Sequence, residues 1–162
     1  MTKEKQLKLF QDISHVAEIS VNYSTKIKPS ERIKITGISD SFSFFRAFYE
    51  LTGNLEQKEI FSVLLLDRAN KVLGWLKVSE GSNTATVVDI QYIFRASILA
   101  GAQKIILCHN HPSGNITPSR ADIQMTQKVK NAGILMDIET VDHIILGPEP
   151  NQYYSFANEG EL

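Results

Sequence analysis

The chain has 162 residues, a formal net charge of −1 and a sequence pI of about 6.4. This length suits one domain, and the charge balance provides no basic surface of the kind that nucleic-acid-binding proteins carry. The sequence has no apolar run near the roughly 18 residues that span a bilayer, no signal-like N-terminus and a single cysteine. We therefore expect a globular cytoplasmic protein without an internal disulfide or a membrane segment.

The first third of the chain predicts a strand, a loop and a helix. Residues 13–23 partly alternate apolar and polar side chains, which indicates a strand. Proline and glycine punctuate residues 26–40 and indicate a loop. Residues 39–51 place polar cap residues before an apolar face, as at the start of a helix.

The remaining chain alternates predicted strands and helices. The apolar run 59–67 indicates a strand buried on both faces, with a hairpin partner after the turn "DRAN". Apolar residues recur at helical spacing up to Gly101, which predicts one helix there. A second helix is expected to end before Gly133. Further strands are predicted at 104–109, 136–147 and 153–156. Alternating elements with one hairpin predict an α/β single domain with a mixed β-sheet flanked by helices.

Two histidines close the strand that ends in "KIILCHNH". Side chains two apart in a strand share a face, so His109 and His111 should point the same way. Cys108 and Asn110 should point away from them, and Cys108 is therefore expected to be a small core residue and not a reactive thiol. The turn "PSGN" can return the next helix over the strand end, bringing Asp122 to both imidazoles. Three such ligands leave a fourth tetrahedral position, as in a catalytic zinc site.

The same residues also have an interpretation without a metal. "SRAD" fits a capping box in which Ser119 is the N-cap and Asp122 occupies the third helical position. A carboxylate in the first turn is favoured by the helix dipole alone. Two nearby histidines can be ordinary polar residues at a strand end, so spacing alone leaves the two interpretations evenly matched.

The text from His109 to Asp122 matches the H-x-H-x7-S-x-x-D signature of the JAMM (JAB or MPN+) metalloproteases. "HNHPSG", "VDHIILG" and "YYSF" resemble the RadC branch more narrowly. The resemblance implies a JAB/MPN, cytidine deaminase-like architecture over 33–162, with 1–32 as a strand and loop extension packed on it. Nothing in the chain resembles the helix-hairpin-helix segment usual in RadC proteins, so a short form is expected.

The resemblance also implies roles for particular residues. Zn²⁺ would be held by His109, His111 and Asp122, and the metal-activated water would attack a peptide or isopeptide carbonyl. Glu59, directly before the apolar run, would be the general base, with Glu56 as the other candidate. The resemblance assigns to Ser119 the donor for the oxyanion. The chain is thus expected to be a JAMM-type zinc metallopeptidase acting on an unidentified peptide or protein.

Other functions remain open at this stage. A RadC-type DNA-repair or nucleic-acid-associated accessory protein is the main alternative, although the charge does not favour it. A scaffold that keeps the fold without catalysis is another. Ser113 as a nucleophile is disfavoured because no G-x-S-x-G elbow surrounds it. His143 is a residue near the metal site, a substrate contact or a histidine packed at a strand start.

Overall fold

A mixed sheet of five strands, covered by helices on both faces, forms the centre of the computed structural model, which describes residues 23–52, 55–81 and 88–162. The strand order is β2-β1-β3-β4-β5. β3 and β4 are parallel, and the other neighbouring pairs are antiparallel. The strands are β1 (Glu59–Leu66), β2 (Val72–Gly81), β3 (Lys104–Asn110), β4 (Glu139–Leu146) and β5 (Tyr153–Ser155). The predicted α/β fold with a mixed sheet is therefore confirmed.

The described residues form three α-helices and a short 3-10 turn at Pro29–Glu31. The helices are α1 (Ile38–Thr52), α2 (Ile90–Ala100) and α3 (Arg120–Leu135). α2 begins at an Asp89 cap, whose carboxylate accepts from the Tyr92 N–H. It ends at Gly101, whose φ of 67° is the left-handed conformation typical of a helix C-terminus. None of the helices in the described ranges is long and apolar enough to cross a bilayer.

The two faces of the sheet bury separate apolar clusters. On the α1 face, Leu64, Ile106 and Ile144 pack against Phe45 and Tyr49 of α1. On the α2–α3 face, the neighbouring residues of the same strands pack against side chains of α2 and α3. This alternation follows from the two-residue period of a strand. It also places each residue at the end of β3 on a definite face.

The prediction that the helix at 118–133 ends before Gly133 is wrong, because α3 continues to Leu135. A Cβ at Gly133 would lie 2.3 Å from the Ile138 carbonyl oxygen. Glycine is needed there because the helix passes very close to the chain that enters β4. The left-handed conformation occurs instead at Asp137, with φ of 54°.

Most of the strand predicted at 13–23 lies outside the described residues. The proposed boundary between an extension at 1–32 and a domain at 33–162 stays a prediction. Within the described part of that extension, the Pro29 carbonyl accepts a hydrogen bond from Lys71 Nζ at 3.0 Å. Lys34 forms an isolated antiparallel bridge with Lys71. The loop therefore contacts the turn between β1 and β2.

Candidate metal centre

His109 lies near the end of the central strand β3, between Phe61 on β1 and Ile145 on β4. Its side chain is 1% exposed and stacks on the Phe61 ring, with centroids 5.9 Å apart. Buried strands on both sides hold the imidazole in place. Burial of a polar ring requires partners for both of its nitrogens.

His111 follows β3 directly and remains tied to the sheet. Its N–H donates to the Leu146 carbonyl at 2.8 Å, continuing the parallel ladder with β4. In the turn that follows, Gly114 adopts φ of 79°, a conformation that favours glycine. The turn returns the Asn115 carbonyl to His111 Nδ1 at 2.6 Å. This contact sets the direction of the second imidazole.

Asp122 reaches the site from the first turn of α3. Ser119 is the N-cap, and its hydroxyl oxygen accepts from the Asp122 N–H at 3.1 Å. The Asp122 carboxylate in turn accepts from the Ser119 N–H at 2.7 Å. The predicted capping box is therefore present. It leaves Asp122 Oδ1 directed towards the histidines.

The three side chains converge, as predicted. His109 Nε2 and His111 Nε2 are 3.0 Å apart. Asp122 Oδ1 lies 3.3 Å from His109 Nε2, and its Oδ2 lies 3.7 Å from His111 Nε2. The candidate ligand atoms all lie within 4.8 Å of one another, so the cluster could hold a metal ion. The capping box and the metal cluster are compatible, since Asp122 takes part in both.

The donor set fits a zinc ion. A carbonyl oxygen only accepts hydrogen bonds, so the short contact to Asn115 requires the proton on His111 Nδ1. The Nε2 lone pair of neutral His111 then faces the carboxylate of Asp122 and the other imidazole. Imidazole nitrogen and carboxylate oxygen are ordinary zinc ligands. These nitrogen and oxygen atoms can share protons, as in the hydrogen bonds to Asp122, or they can share a metal ion.

Mutual contacts shift the pKa values of this cluster. Burial raises the pKa of Asp122, but the hydrogen bonds with His109 and His111 outweigh burial and hold the pKa well below its usual range. Burial lowers the pKa of His111, but the Asp122 carboxylate and the Asn115 carbonyl together raise it by more, so the net shift is upward. Asp122 is therefore a carboxylate over the whole physiological range, as a metal ligand must be.

Glu59 begins β1 on the same face as both histidines. Phe61 pairs with His109 in the antiparallel register, and Glu59 precedes Phe61 by two residues, so it lies on the same face of the sheet. Glu59 and His111 line a cavity of about 300 Å³, together with Glu56, Pro112 and Ser113. The structure thus places both candidate bases, and Ser113, around the same cavity as His111. Glu59 differs from Glu56 in being fixed by the strand.

Cys108 and Asn110 point to the opposite face, as predicted. Cys108 is fully buried among the apolar residues of the α1 face, and burial raises the pKa of its thiol well above the ordinary value. The Asn110 amide accepts from the Ile60 N–H and donates to the carbonyls of Leu55 and Lys58. Asn110 therefore ties the segment that leads into Glu59 to the strand that carries the histidines. Sequence analysis predicted its direction but missed these contacts.

His143 lies against the metal cluster, one strand away from His109. Its Nε2 is 2.8 Å from His109 Nδ1, and its Nδ1 is 2.6 Å from Thr126 Oγ1. Complete burial lowers the pKa of His143 well below its ordinary value, so the ring is neutral. Sequence analysis missed Thr126. The available signal was its position one helical turn after Asp122, on the same side of α3.

Comparison with known proteins agrees with this architecture. Residues 38–161 match the family described as RadC-like JAB domain. A UPF0758 protein of Flavobacterium johnsoniae is 36% identical over 159 residues, which cover 96% of this chain and 68% of the relative. A UPF0758 protein of Porphyromonas gingivalis is 36% identical over 143 residues, or 88% of this chain and 62% of the relative. The resemblance to RadC proteins is confirmed.

A third relative, a UPF0758 protein of Coprothermobacter proteolyticus, is 39% identical over 129 residues. The match covers 80% of this chain and 54% of that protein. The chain thus spans between about half and two thirds of the length of these curated relatives. Their names state no activity.

Proposed function

This chain belongs to the RadC-like JAB domain family, and from that membership and the site geometry we propose a zinc-dependent hydrolase of the JAMM type. Its substrate would be a peptide or isopeptide bond. His109, His111 and Asp122 would hold the metal. Glu59 and Ser119 would act on the reacting groups.

One observation carries the proposal: acceptor atoms from two strand-end imidazoles and one helix carboxylate meet within 4.8 Å. The turn at 112–115 brings the start of α3 close to the end of the central strand β3. A structural zinc site is closed by four protein ligands, whereas a catalytic site keeps one position open. A cluster of three ligands, one of which (His111) lines a cavity of about 300 Å³, favours the catalytic kind.

A zinc ion bound there would supply a Lewis acid that activates water and polarises the carbonyl of the substrate. Glu59 faces the same cavity and is fixed at the start of β1. Its carboxylate would take a proton from the attacking water and deliver it to the leaving amine. The cavity would admit the scissile bond between Glu59 and the turn at Pro112 and Ser113.

Ser119 is suited to hydrogen-bond the developing oxyanion. As an N-cap it uses a lone pair of its hydroxyl oxygen, which accepts from the Asp122 N–H. A side-chain hydrogen bond from the same hydroxyl to the Asp122 carboxylate contributes to the lowered pKa of Asp122. To bind the oxyanion, the hydroxyl proton would turn from that carboxylate to the substrate oxygen. Capping and oxyanion stabilisation use different parts of the same group, so the two roles do not compete.

The first experiment measures zinc content and hydrolysis together. We expect about one zinc per chain after purification, and cleavage of fluorogenic peptides or of isopeptides built on a lysine side chain. Glu59→Gln should keep the zinc and lose about 100-fold or more in kcat, because a general base contributes roughly that factor. Glu56→Gln is the matched control from the same cavity and should stay within a few-fold of the wild type.

Two results would contradict the proposal. Wild-type protein that takes up no stoichiometric zinc, with no loss of thermal stability in His109→Ala, would exclude the metal site. Zinc-loaded protein that cleaves neither substrate class would leave a metal-binding fold without this chemistry. In the first case, tight DNA binding that weakens steeply with salt would favour a nucleic-acid accessory role instead.

A further inference from the structure

A continuous chain of hydrogen bonds joins two of the proposed metal ligands behind the site. Thr126 Oγ1 lies 2.6 Å from the backbone carbonyl oxygen of Asp122. The same Oγ1 lies 2.6 Å from His143 Nδ1, and His143 Nε2 lies 2.8 Å from His109 Nδ1. Thr126 is 2% exposed and His143 0%. No bulk water competes for these contacts.

The direction of every proton in the chain follows from its far end. A carbonyl oxygen cannot donate, so the short contact to Asp122 requires the Thr126 hydroxyl to donate there. That hydroxyl has one hydrogen, so its contact with His143 requires the proton to reside on His143 Nδ1. Neutral His143 then has a lone pair on Nε2. The last contact requires His109 to carry its proton on Nδ1.

We propose that Thr126 and His143 fix His109 as the Nδ1–H tautomer, with the Nε2 lone pair directed at the metal position. This inference rests on the metal binding proposed above and assigns positioning roles to two residues that touch neither metal nor substrate. In the reverse arrangement, a proton on His109 Nε2 would block ligation. A hydrogen-bonded partner on the remote nitrogen is the usual means of holding a ligating imidazole.

The packing around His143 suits this role. The ring stacks on Phe156 with centroids 4.8 Å apart and an interplanar angle of 12°, and it also contacts Phe61. The two aromatic rings fix the plane of the imidazole. They also keep out the water that would stabilise a charged ring. His143 is therefore held as a neutral acceptor for His109. Both nitrogens of a buried histidine need partners, and here those partners are a proposed metal ligand and a residue of α3.

This chain of hydrogen bonds also connects β3 to α3. His109 is at one end of it, and the backbone of Asp122 is at the other. The hydroxyl of Thr126 bonds the carbonyl one helical turn back, so it belongs rigidly to α3. A change at Thr126 should therefore affect the metal ligands on both elements without altering any ligand itself.

The test compares Thr126→Val, which keeps the β-branched shape and loses the hydroxyl, with Thr126→Ser, which keeps the hydroxyl. Zinc affinity is measured on the full chain by competition with a chromophoric chelator. Long-range proton–nitrogen NMR of nitrogen-labelled histidines reads the tautomers of His109 and His143 in metal-free and zinc-loaded protein. Thermal unfolding of both metal-free variants checks that they fold. A more severe variant, His143→Phe, keeps the stacking and removes both nitrogens.

We expect Thr126→Val to weaken zinc binding about 10- to 100-fold and Thr126→Ser to remain within about threefold of the wild type. The wild-type spectra should show protonated Nδ1 on both His109 and His143. A proton on His143 Nε2, or equal zinc affinity and unchanged tautomers in Thr126→Val, would overturn the inference. The tautomers are read in metal-free protein, so the spectra test this inference even if the protein takes up no zinc. Failure of zinc uptake would contradict the proposed function only.

Discussion

Consecutive residues at the end of β3 have polar side chains on opposite faces of the sheet, and the two faces treat them differently. On the α1 face, the Asn110 amide finds a backbone donor and two backbone acceptors. On the α2–α3 face, His109 and His111 bring Nε2 atoms within 3.0 Å of each other and next to a carboxylate. The first set of polar groups is complete within the protein. The second is a set of candidate ligand atoms that could hold a metal ion.

This difference separates a structural device from a candidate functional one. Buried polar groups in stable proteins are normally paired by the protein itself. Asn110 follows that rule and locks the segment before Glu59. The histidine cluster differs because its ligand atoms contact one another in an arrangement that could also hold a metal ion. All other contacts of that cluster, including those to Asn115 and His143, are satisfied.

The largest expected change in stability comes from Asn110→Ala. The substitution leaves the buried Ile60 N–H without its partner and removes two further hydrogen bonds. We expect the free energy of unfolding of metal-free protein to fall by about 3 kcal/mol, measured by urea denaturation. Asn115→Ala is the matched control, since that exposed amide accepts only from the Thr117 N–H. It should cost less than about 1 kcal/mol.

If Asn110→Ala cost no more than Asn115→Ala, the α1 face would not be the structural face. In that case the comparison between the two faces would fail. If it unfolded only after zinc removal, Asn110 would instead belong to the metal site.

A smaller change in stability is expected from substitution of Ser119. This residue, on the α2–α3 face, is a structural helix cap and also the proposed donor to the oxyanion. Ser119→Ala should lower the free energy of unfolding by about 1 kcal/mol through loss of the N-cap, and Ser119→Gly by only a few tenths. Both variants lack the hydroxyl proton, so both should lose kcat equally, by about 100-fold. Denaturation and turnover measured on the same preparations provide the check. Turnover that followed stability across the two variants would mean that Ser119 acts only as a cap.

Local sequence patterns were sufficient to predict most of the fold and the cluster. Continuous apolar runs predicted β1 and β3, and the alternation of "CHNH" predicted which residues share a face. The turn between His111 and Ser119 allowed Asp122 to be placed at the strand end, and the resemblance to the JAMM signature made the cluster the expected arrangement. In each case, neighbours along the chain decide the outcome.

Features that depend on contacts between distant segments could not be predicted in this way. Gly133 resembled a helix end, but the Ile138 carbonyl beside it explains the glycine. Thr126 is an ordinary residue of an amphipathic helix until β4 brings His143 to it. The partners of Asn110 lie about 50 residues upstream. Their pairing depends on the register between β1 and β3, which no local pattern specifies.

The smallest effect is expected from Glu80, a polar group satisfied at the protein surface. Hydrogen bonds from Lys77 and Lys58 lower the pKa of Glu80 to about 2. Because the folded pKa lies below the usual 4.5, the contribution to stability is complete above that pH and is lost as the pH falls towards 2. Glu80→Gln should therefore lower stability slightly at pH 7 in dilute buffer and not at about pH 2. Denaturation at both pH values, repeated at about 1 M salt where screening weakens exposed pairs, measures it. A loss that persisted at low pH would instead assign Glu80 a packing role at the strand end, since it lies opposite Ile60, the residue that Asn110 holds.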